Sequence, residues 1–189
     1  YEIERIDLKM AGGKQDQYAA TFGGFNFMEF EANDKVIVNP LRIKADYLHE
    51  LQNNILIYYT GTSRLSAQII EKQSENFINK SEQAVEAAHR LKEQAMMMKE
   101  ALLMGNLNEI GQILDYGWKH KKQTAGGISN TEIDLLYEKA KCSGASGGKI
   151  SGAGGGGFMM IYAPAVSRYS VIQSLSEEGG LFYPFDFTN

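Results

Sequence analysis

Large apolar and polar side chains alternate through residues 25–31, and the apolar signal resumes at Val36-Ile37-Val38 after the turn pair Asn33-Asp34. Period-two alternation on both sides of a short Asn/Asp turn predicts a β-hairpin, broken off by Asn39-Pro40. Ahead of it, Ile3, Ile6 and Met10 stand among Glu2, Glu4, Arg5 and Lys9, a spacing that predicts an amphipathic helix already under way at Tyr1. A first residue other than Met inside such a segment reads as the C-terminal portion of a longer protein.

The pattern then changes. A short helix is predicted over residues 45–51, and the unbroken run Ile55-Leu56-Ile57-Tyr58-Tyr59 predicts a buried strand, ended by Thr60-Gly61-Thr62-Ser63. Helical spacing dominates up to about Lys122. Ile69 and Ile70 mark a first helix, and Ala84, Val85, Ala88, Leu91, Ala95, Met98 and Leu102 a second. Ile110, Leu114 and Trp118 mark a third, and Ile133, Leu136, Tyr137 and Ala140 a fourth. Asn106 with Glu109, and Ser129 with Glu132, read as capping boxes opening the third and fourth. A strand–loop–strand unit over 148–162, a helix after Pro164 and a last strand over 181–187 complete the order. From residue 54 this is β-α-β-β-α-β, the ferredoxin-like split unit with extra helices in its first crossover, so the fold class is α+β. The hairpin and Asp16 precede that unit, which places residues 1–50 in a preceding domain and residues 51–189 in the ferredoxin-like one.

Composition narrows the function classes. The 189 residues are 43% hydrophobic and 22% charged, ordinary for a globular chain, and the net charge of −4 leaves no basic footprint for nucleic acid. No apolar stretch approaches the ~20 residues that cross a bilayer. Cys142 is the single cysteine, which excludes an internal disulfide and fits a reducing cytoplasm. His49, His89 and His120 are scattered without metal-ligand spacing. Met96-Met97-Met98 and Met104 read as core filler.

The densest chemical signal is Lys149-Ile150-Ser151-Gly152-Ala153-Gly154-Gly155-Gly156-Gly157, set between two strands. Glycine costs backbone entropy, and five glycines exceed what one tight hairpin turn requires. Close approach of backbone N–H groups to an anion, typically a phosphate, is the functional reading; a tight turn or close packing is the plain one. The segment is neither a Gly-x-x-x-x-Gly-Lys-Ser/Thr loop nor a dinucleotide fingerprint, since a strand and not a helix follows. Asp16, behind Gly12-Gly13 and beside Lys14, is either the carboxylate that accepts a hydroxyl proton in phosphoryl transfer or an N-cap. Arg64 follows a strand end and suits a phosphate monoester, or is an exposed first-turn arginine. Lys119, Lys121 and Lys122 beside His120 form a basic cluster that suits an anion, although a helix C-terminus favours cations in any case.

Together these segments resemble the GHMP kinases, the superfamily of galactokinase, homoserine kinase, mevalonate kinase and phosphomevalonate kinase. The glycine loop looks like the third motif of that superfamily. The segment from Gly13 to Gln17 looks like the one that carries its catalytic aspartate, and Trp118-Lys119 and the stretch from Gly127 to Asp134 are also typical. Within the superfamily, the stretches 16–26, 59–64 and 158–164 look most like the kinases of D-glycero-D-manno-heptose 7-phosphate.

The resemblance implies transfer of the ATP γ-phosphoryl group to an anomeric hydroxyl, with Mg²⁺ as the accompanying ion and heptose 1,7-bisphosphate as product for nucleotide-activated heptose and surface polysaccharide. It makes Asp16 the base or the orienting carboxylate for that hydroxyl and places Ser151, Gly152, Ala153, Gly154, Gly155 and Gly156 near substrate and phosphates, with Lys14, Arg64 and Lys122 as phosphate contacts. The family's Gly-Ser-Ser phosphate loop and its Ser and Glu ligands to Mg²⁺ have no counterpart here and are expected upstream of Tyr1. This chain alone is therefore expected to be inactive. A fucose- or galactose-type kinase of the same superfamily, and a non-catalytic ferredoxin-like binding module, are the alternatives.

Overall fold

A computed structural model describes residues 1–61 and 66–188. The chain forms α1 (Gln15–Phe22), β1 (Asn26–Phe30), β2 (Val36–Pro40), α2 (Ala45–Asn54), β3 (Ile55–Tyr59), α3 (Ser66–Ile78), α4 (Glu82–Met104), α5 (Leu107–Lys121), α6 (Thr131–Cys142), β4 (Gly147–Ile150), β5 (Phe158–Tyr162), α7 (Ala165–Ser176) and β6 (Leu181–Tyr183). β1 and β2 make the expected antiparallel hairpin, with Asn26 opposite Pro40 and Phe30 opposite Val36. The other strands form an antiparallel sheet in the order β4-β5-β3-β6. That is the ferredoxin-like arrangement, and α3 to α6 are the extra helices of its first crossover.

The unbroken apolar run of β3 follows from burial on both sides, because successive side chains of a strand point to opposite faces. Leu56 and Tyr58, with Met159 and Ile161 of β5, pack with Trp118, Ile133, Val171 and Leu175. Ile55 and Tyr162 pack on the other face with Leu51, Leu102, Ile110 and Leu114. Two tyrosine hydroxyls buried in the sheet are paired. Tyr58 Oη donates to the Leu175 carbonyl at 3.2 Å and accepts from Gly180 N at 3.0 Å, while Asn54 Nδ2 donates to Tyr162 Oη at 3.0 Å. Both neighbours of β3, β5 and β6, come later in the chain, Ile57 lying opposite Met160 on one side and Tyr183 on the other.

Several local expectations are corrected. The opening segment is a π-helical turn, Glu2–Asp7, whose Ile3 and Ile6 stay 69% and 58% exposed, so no face of it is buried. Arg5 fixes it to the next loop by donating to the carbonyls of Gly13 and Ala11, each at 3.0 Å. Pro40 ends β2 instead of breaking the hairpin before it, α2 runs on to Asn54, and β6 stops at Tyr183. Asn106 is the N-cap of α5, but its side chain makes no capping bond. The cap of α6 is Asn130, not Ser129: its side chain accepts from Ile133 N at 2.9 Å. Met96, Met97 and Met104 are exposed; of that group Met98 alone packs against the core.

One partly buried ion cluster links α5 to α6. Asp115 accepts from Tyr137 Oη at 2.7 Å, and its carboxylate lies 2.7 Å from Lys119 Nζ and 3.6 Å from Lys141 Nζ. Burial alone would raise its pKa, but the bonds from Lys119 and Tyr137 and the two lysine charges outweigh that and hold it below the ordinary carboxylate value. A carboxylate with a depressed folded-state pKa contributes stability above its unfolded pKa, near about 4, and loses it as pH falls through the folded value. Asp115→Asn is therefore expected to be less stable than the parent at pH 7. The gap in urea midpoint should shrink below about pH 4, and an unchanged gap at pH 3 would remove the charge from the account.

Candidate functional site

The glycine loop leaves β4 at Ser151 and enters β5 at Phe158, closed by Ser151 N donating to the Phe158 carbonyl at 2.8 Å. Its second half is packed backbone against backbone. Gly154, Gly155 and Gly156 are buried, Gly155 N donates to the Ile128 carbonyl at 2.8 Å, and a Cβ on Gly154 would stand 2.6 Å from that same oxygen. Gly154 also has φ +109°, a region that side chains rarely adopt. Part of the glycine density is thus explained by close packing on residue 128. The first half is different: Ser151 and Gly152 are exposed, and nothing lies within 4 Å of a Cβ built on Gly152. The N–H groups of Gly152, Ala153, Gly154 and Gly156 have no hydrogen-bond partner among the described residues. Consecutive unpaired N–H groups, as at Gly152, Ala153 and Gly154, are what an oxyanion requires.

The wall on which the loop rests is the connection from α5 to α6. Thr124, 1% exposed, accepts from Gln73 Nε2 at 2.7 Å through its hydroxyl and from Asn76 Nδ2 at 2.9 Å through its carbonyl, which fastens α3 to the connection. Asp134 accepts from Lys122 Nζ at 3.1 Å and from Ser129 Oγ at 2.8 Å. Ile128 is thereby held rigidly, and with it the seat of Gly154 and Gly155. Sequence reasoning singled out the glycines and missed Ile128; the run Gly126-Gly127-Ile128-Ser129-Asn130, turn residues around one isolated apolar side chain, was the available signal.

Asp16 lies in the first turn of α1 and is exposed, while the N-cap is Lys14. The N-cap reading of Asp16 is therefore corrected. A carboxylate in a first helical turn is favoured by the helix dipole, and this one remains open to solvent. Lys14 turns elsewhere: Nζ pairs with Asp34 at 2.9 Å and lies 4.8 Å above the Tyr1 ring. The hydrogen bond to Asp34 holds that amine above its ordinary pKa. Lys122 is engaged by Asp134 and stands 5.9 Å from the Trp118 ring, and Lys119 is taken by Asp115. Arg64 lies outside the described residues. The structure thus brings the glycine loop and the Lys122–Asp134 connection together. No hydrogen bond or ion pair among the described residues joins α1 to them. No cluster of three described His, Cys, Asp or Glu side chains converges as a metal-ligand set, so the residues present do not by themselves fit Mg²⁺. No helix of the described residues is long and apolar enough to cross a membrane.

Residues 98–180 match the family described as GHMP kinases C terminal. The chain is similar over 188 residues, at 45% identity, to the D-glycero-alpha-D-manno-heptose 7-phosphate kinase of Campylobacter jejuni, covering 100% of this chain and 55% of that protein. It is 29% identical over 173 residues to a bifunctional fucokinase/GDP-fucose pyrophosphorylase of Arabidopsis thaliana, covering 90% of this chain and 16% of that one. The crystal structure of a D-glycero-D-manno-heptose 1-phosphate kinase from Bacteroides thetaiotaomicron superposes with a TM-score of 0.72 at 37% identity, over 99% of this chain and 50% of that chain. The chain thus spans about half the length of the two heptose kinases it matches.

Proposed function

Since the chain belongs to the GHMP kinases, we propose that it is the C-terminal part of an ATP-dependent sugar kinase, acting on the anomeric hydroxyl of D-glycero-D-manno-heptose 7-phosphate. The observation that carries this reading is the 45% identity along the whole chain to a kinase of that name, and the unpaired N–H groups of Gly152, Ala153, Gly154 and Gly156 support it. The division into a remainder of an N-terminal domain over 1–50 and a C-terminal domain over 51–189 belongs to the same proposal.

In this reading the anomeric oxygen attacks the γ-phosphorus and the bond to the β–γ bridging oxygen breaks. ADP leaves and the hydroxyl proton passes to the Asp16 carboxylate. The free donors of Gly152, Ala153, Gly154 and Gly156, with Ser151, face the oxyanions of substrate or nucleotide, and the Lys122–Asp134 connection holds them in place. Lys14 and Arg64 remain candidate phosphate contacts. The ATP phosphate loop and the Mg²⁺ ligands are assigned to a preceding segment of the same protein, consistent with the 55% coverage of the Campylobacter kinase. The enzyme is read as cytoplasmic, where ATP and sugar phosphates meet.

The deciding experiment is a sugar-1-phosphorylation assay of the full-length protein with heptose 7-phosphate, fucose and galactose. Heptose 1,7-bisphosphate is the expected product, at a kcat/KM well above that for either neutral sugar. Preference for fucose would favour the second reading, which the similarity to the plant fucokinase supports.

A further inference from the structure

The carboxylates around the C-terminal end of α5 are each matched to a cation: Asp115 to Lys119 at 2.7 Å, Asp134 to Lys122 at 3.1 Å and Glu93 to Arg90 at 3.0 Å. Two lysines of the same neighbourhood are left over. Lys121, in the last turn of α5, and Lys149, in β4, are both half-buried, and neither has an ion pair or hydrogen bond among the described residues. Burial depresses both amines, and the Lys149 charge depresses Lys121 further.

Both line a pocket of about 50 Å³ together with Leu91, Gln94, Gly117 and Trp118. Trp118 is 2% exposed, and its Nε1–H has no acceptor. Native interiors rarely leave such a donor unpaired. Gln94 reaches the pocket because residue 117 is glycine: a Cβ there would collide with the Gln94 amide. Two uncompensated ammonium groups and an amide able to turn its NH₂ inward form a lining of donors without a carboxylate. One guest relieves all of them, an anion with several acceptor oxygens. The space is several times the ~10–15 Å³ that one water needs, which suits a single phosphate-sized oxyanion and excludes a nucleotide.

We propose that this pocket is a binding site for one tetrahedral oxyanion, inorganic phosphate or the phosphoryl end of a phosphate ester, held by Lys121 and Lys149 beside Gln94 and Trp118. It is separate from the unpaired N–H groups of Gly152, Ala153, Gly154 and Gly156, although Lys149 stands two residues before Ser151. The site stands independently of the kinase reading.

The test is a titration of inorganic phosphate followed by ³¹P line width, using the whole protein without ATP. Wild type is expected to broaden the resonance, and Lys121→Met and Lys149→Met to weaken the affinity at least tenfold. Lys149→Arg, which keeps the charge, and Lys92→Met, at an exposed position on α4, should retain it. Removing an unpaired half-buried charge relieves repulsion, so both Met variants should melt no lower than wild type in phosphate-free buffer. Adding heptose 7-phosphate identifies the source: displacement of the phosphate assigns the pocket to the ester, and retention to the free ion, and either outcome supports the site. Absence of broadening by wild type, or equal broadening by both Met variants, overturns it. Since no turnover is measured, failure here leaves the kinase assignment untouched, and the sugar assay leaves this one untouched.

Discussion

Replacing Asp16 by Asn in the full-length protein is expected to lower kcat by roughly 10²–10⁴-fold, the range over which a positioned general base contributes, with little change in melting temperature. The separation is sharp because Asp16 is exposed and caps nothing. If its role were only that of a negative charge in the first turn of α1, its loss would cost about 0.3–1 kcal/mol of stability. It would then leave turnover intact. A fall in kcat with KM for the sugar nearly constant identifies an interaction made in the transition state. Turnover close to wild type would end the assignment of Asp16 as the base.

The second large effect is expected at Gly154. An alanine there must adopt a φ near +109° and place its Cβ 2.6 Å from the Ile128 carbonyl oxygen and 2.9 Å from Ile128 Cα. Backbone strain of that kind costs about 1–3 kcal/mol. The neighbouring bond from Gly155 N to Ile128 O would be lost as the loop retreats, a further ~0.5–1.5 kcal/mol. A chain of this length loses about 2–4 °C of melting temperature per kcal/mol, so Gly154→Ala should melt roughly 10 °C lower. Gly152→Ala is the matched control. Its φ of +75° is unfavourable, but nothing lies within 4 Å of the new Cβ, and the cost should stay near 1 kcal/mol. Equal melting temperatures for the two variants would refute the packing role of Gly154. If Gly152→Ala reduces turnover while remaining folded, the exposed half of the loop is the half that meets the substrate.

How far the sequence could be read depended on whether a feature was local. The hairpin, β3 and the β-α-β-β-α-β order were legible because alternation and an unbroken apolar run are statements about neighbours in the chain, and these segments pack as their patterns require. The glycine loop was legible as unusual, but its division into a packed half and an open half depends on Ile128, which lies some two dozen positions away. The capping signature at Ser129 failed by one residue because Ser129 has a better use: its hydroxyl binds Asp134, leaving Asn130 to accept from Ile133. The pairing of Lys14 with Asp34 at 2.9 Å was not legible either, because it depends on how the hairpin folds back on the loop before α1. The exposure of Ile3 and Ile6 has the same origin, since periodicity shows an apolar face without showing what covers it.

The position of β3 has a consequence for how the molecule is made. It is the centre of the sheet, yet both strands that pair with it, β5 and β6, are synthesised after α3 to α6. On the ribosome, at about 5–20 residues per second, its apolar side chains wait several seconds or more for their partners. Throughout that interval β3 offers two unpaired edges and two greasy faces to any other nascent chain. The four intervening helices can form meanwhile from local contacts and provide a temporary shelter. Substitutions that slow their docking should therefore lower the yield of soluble protein in cells more than they lower the melting temperature of the molecules that survive.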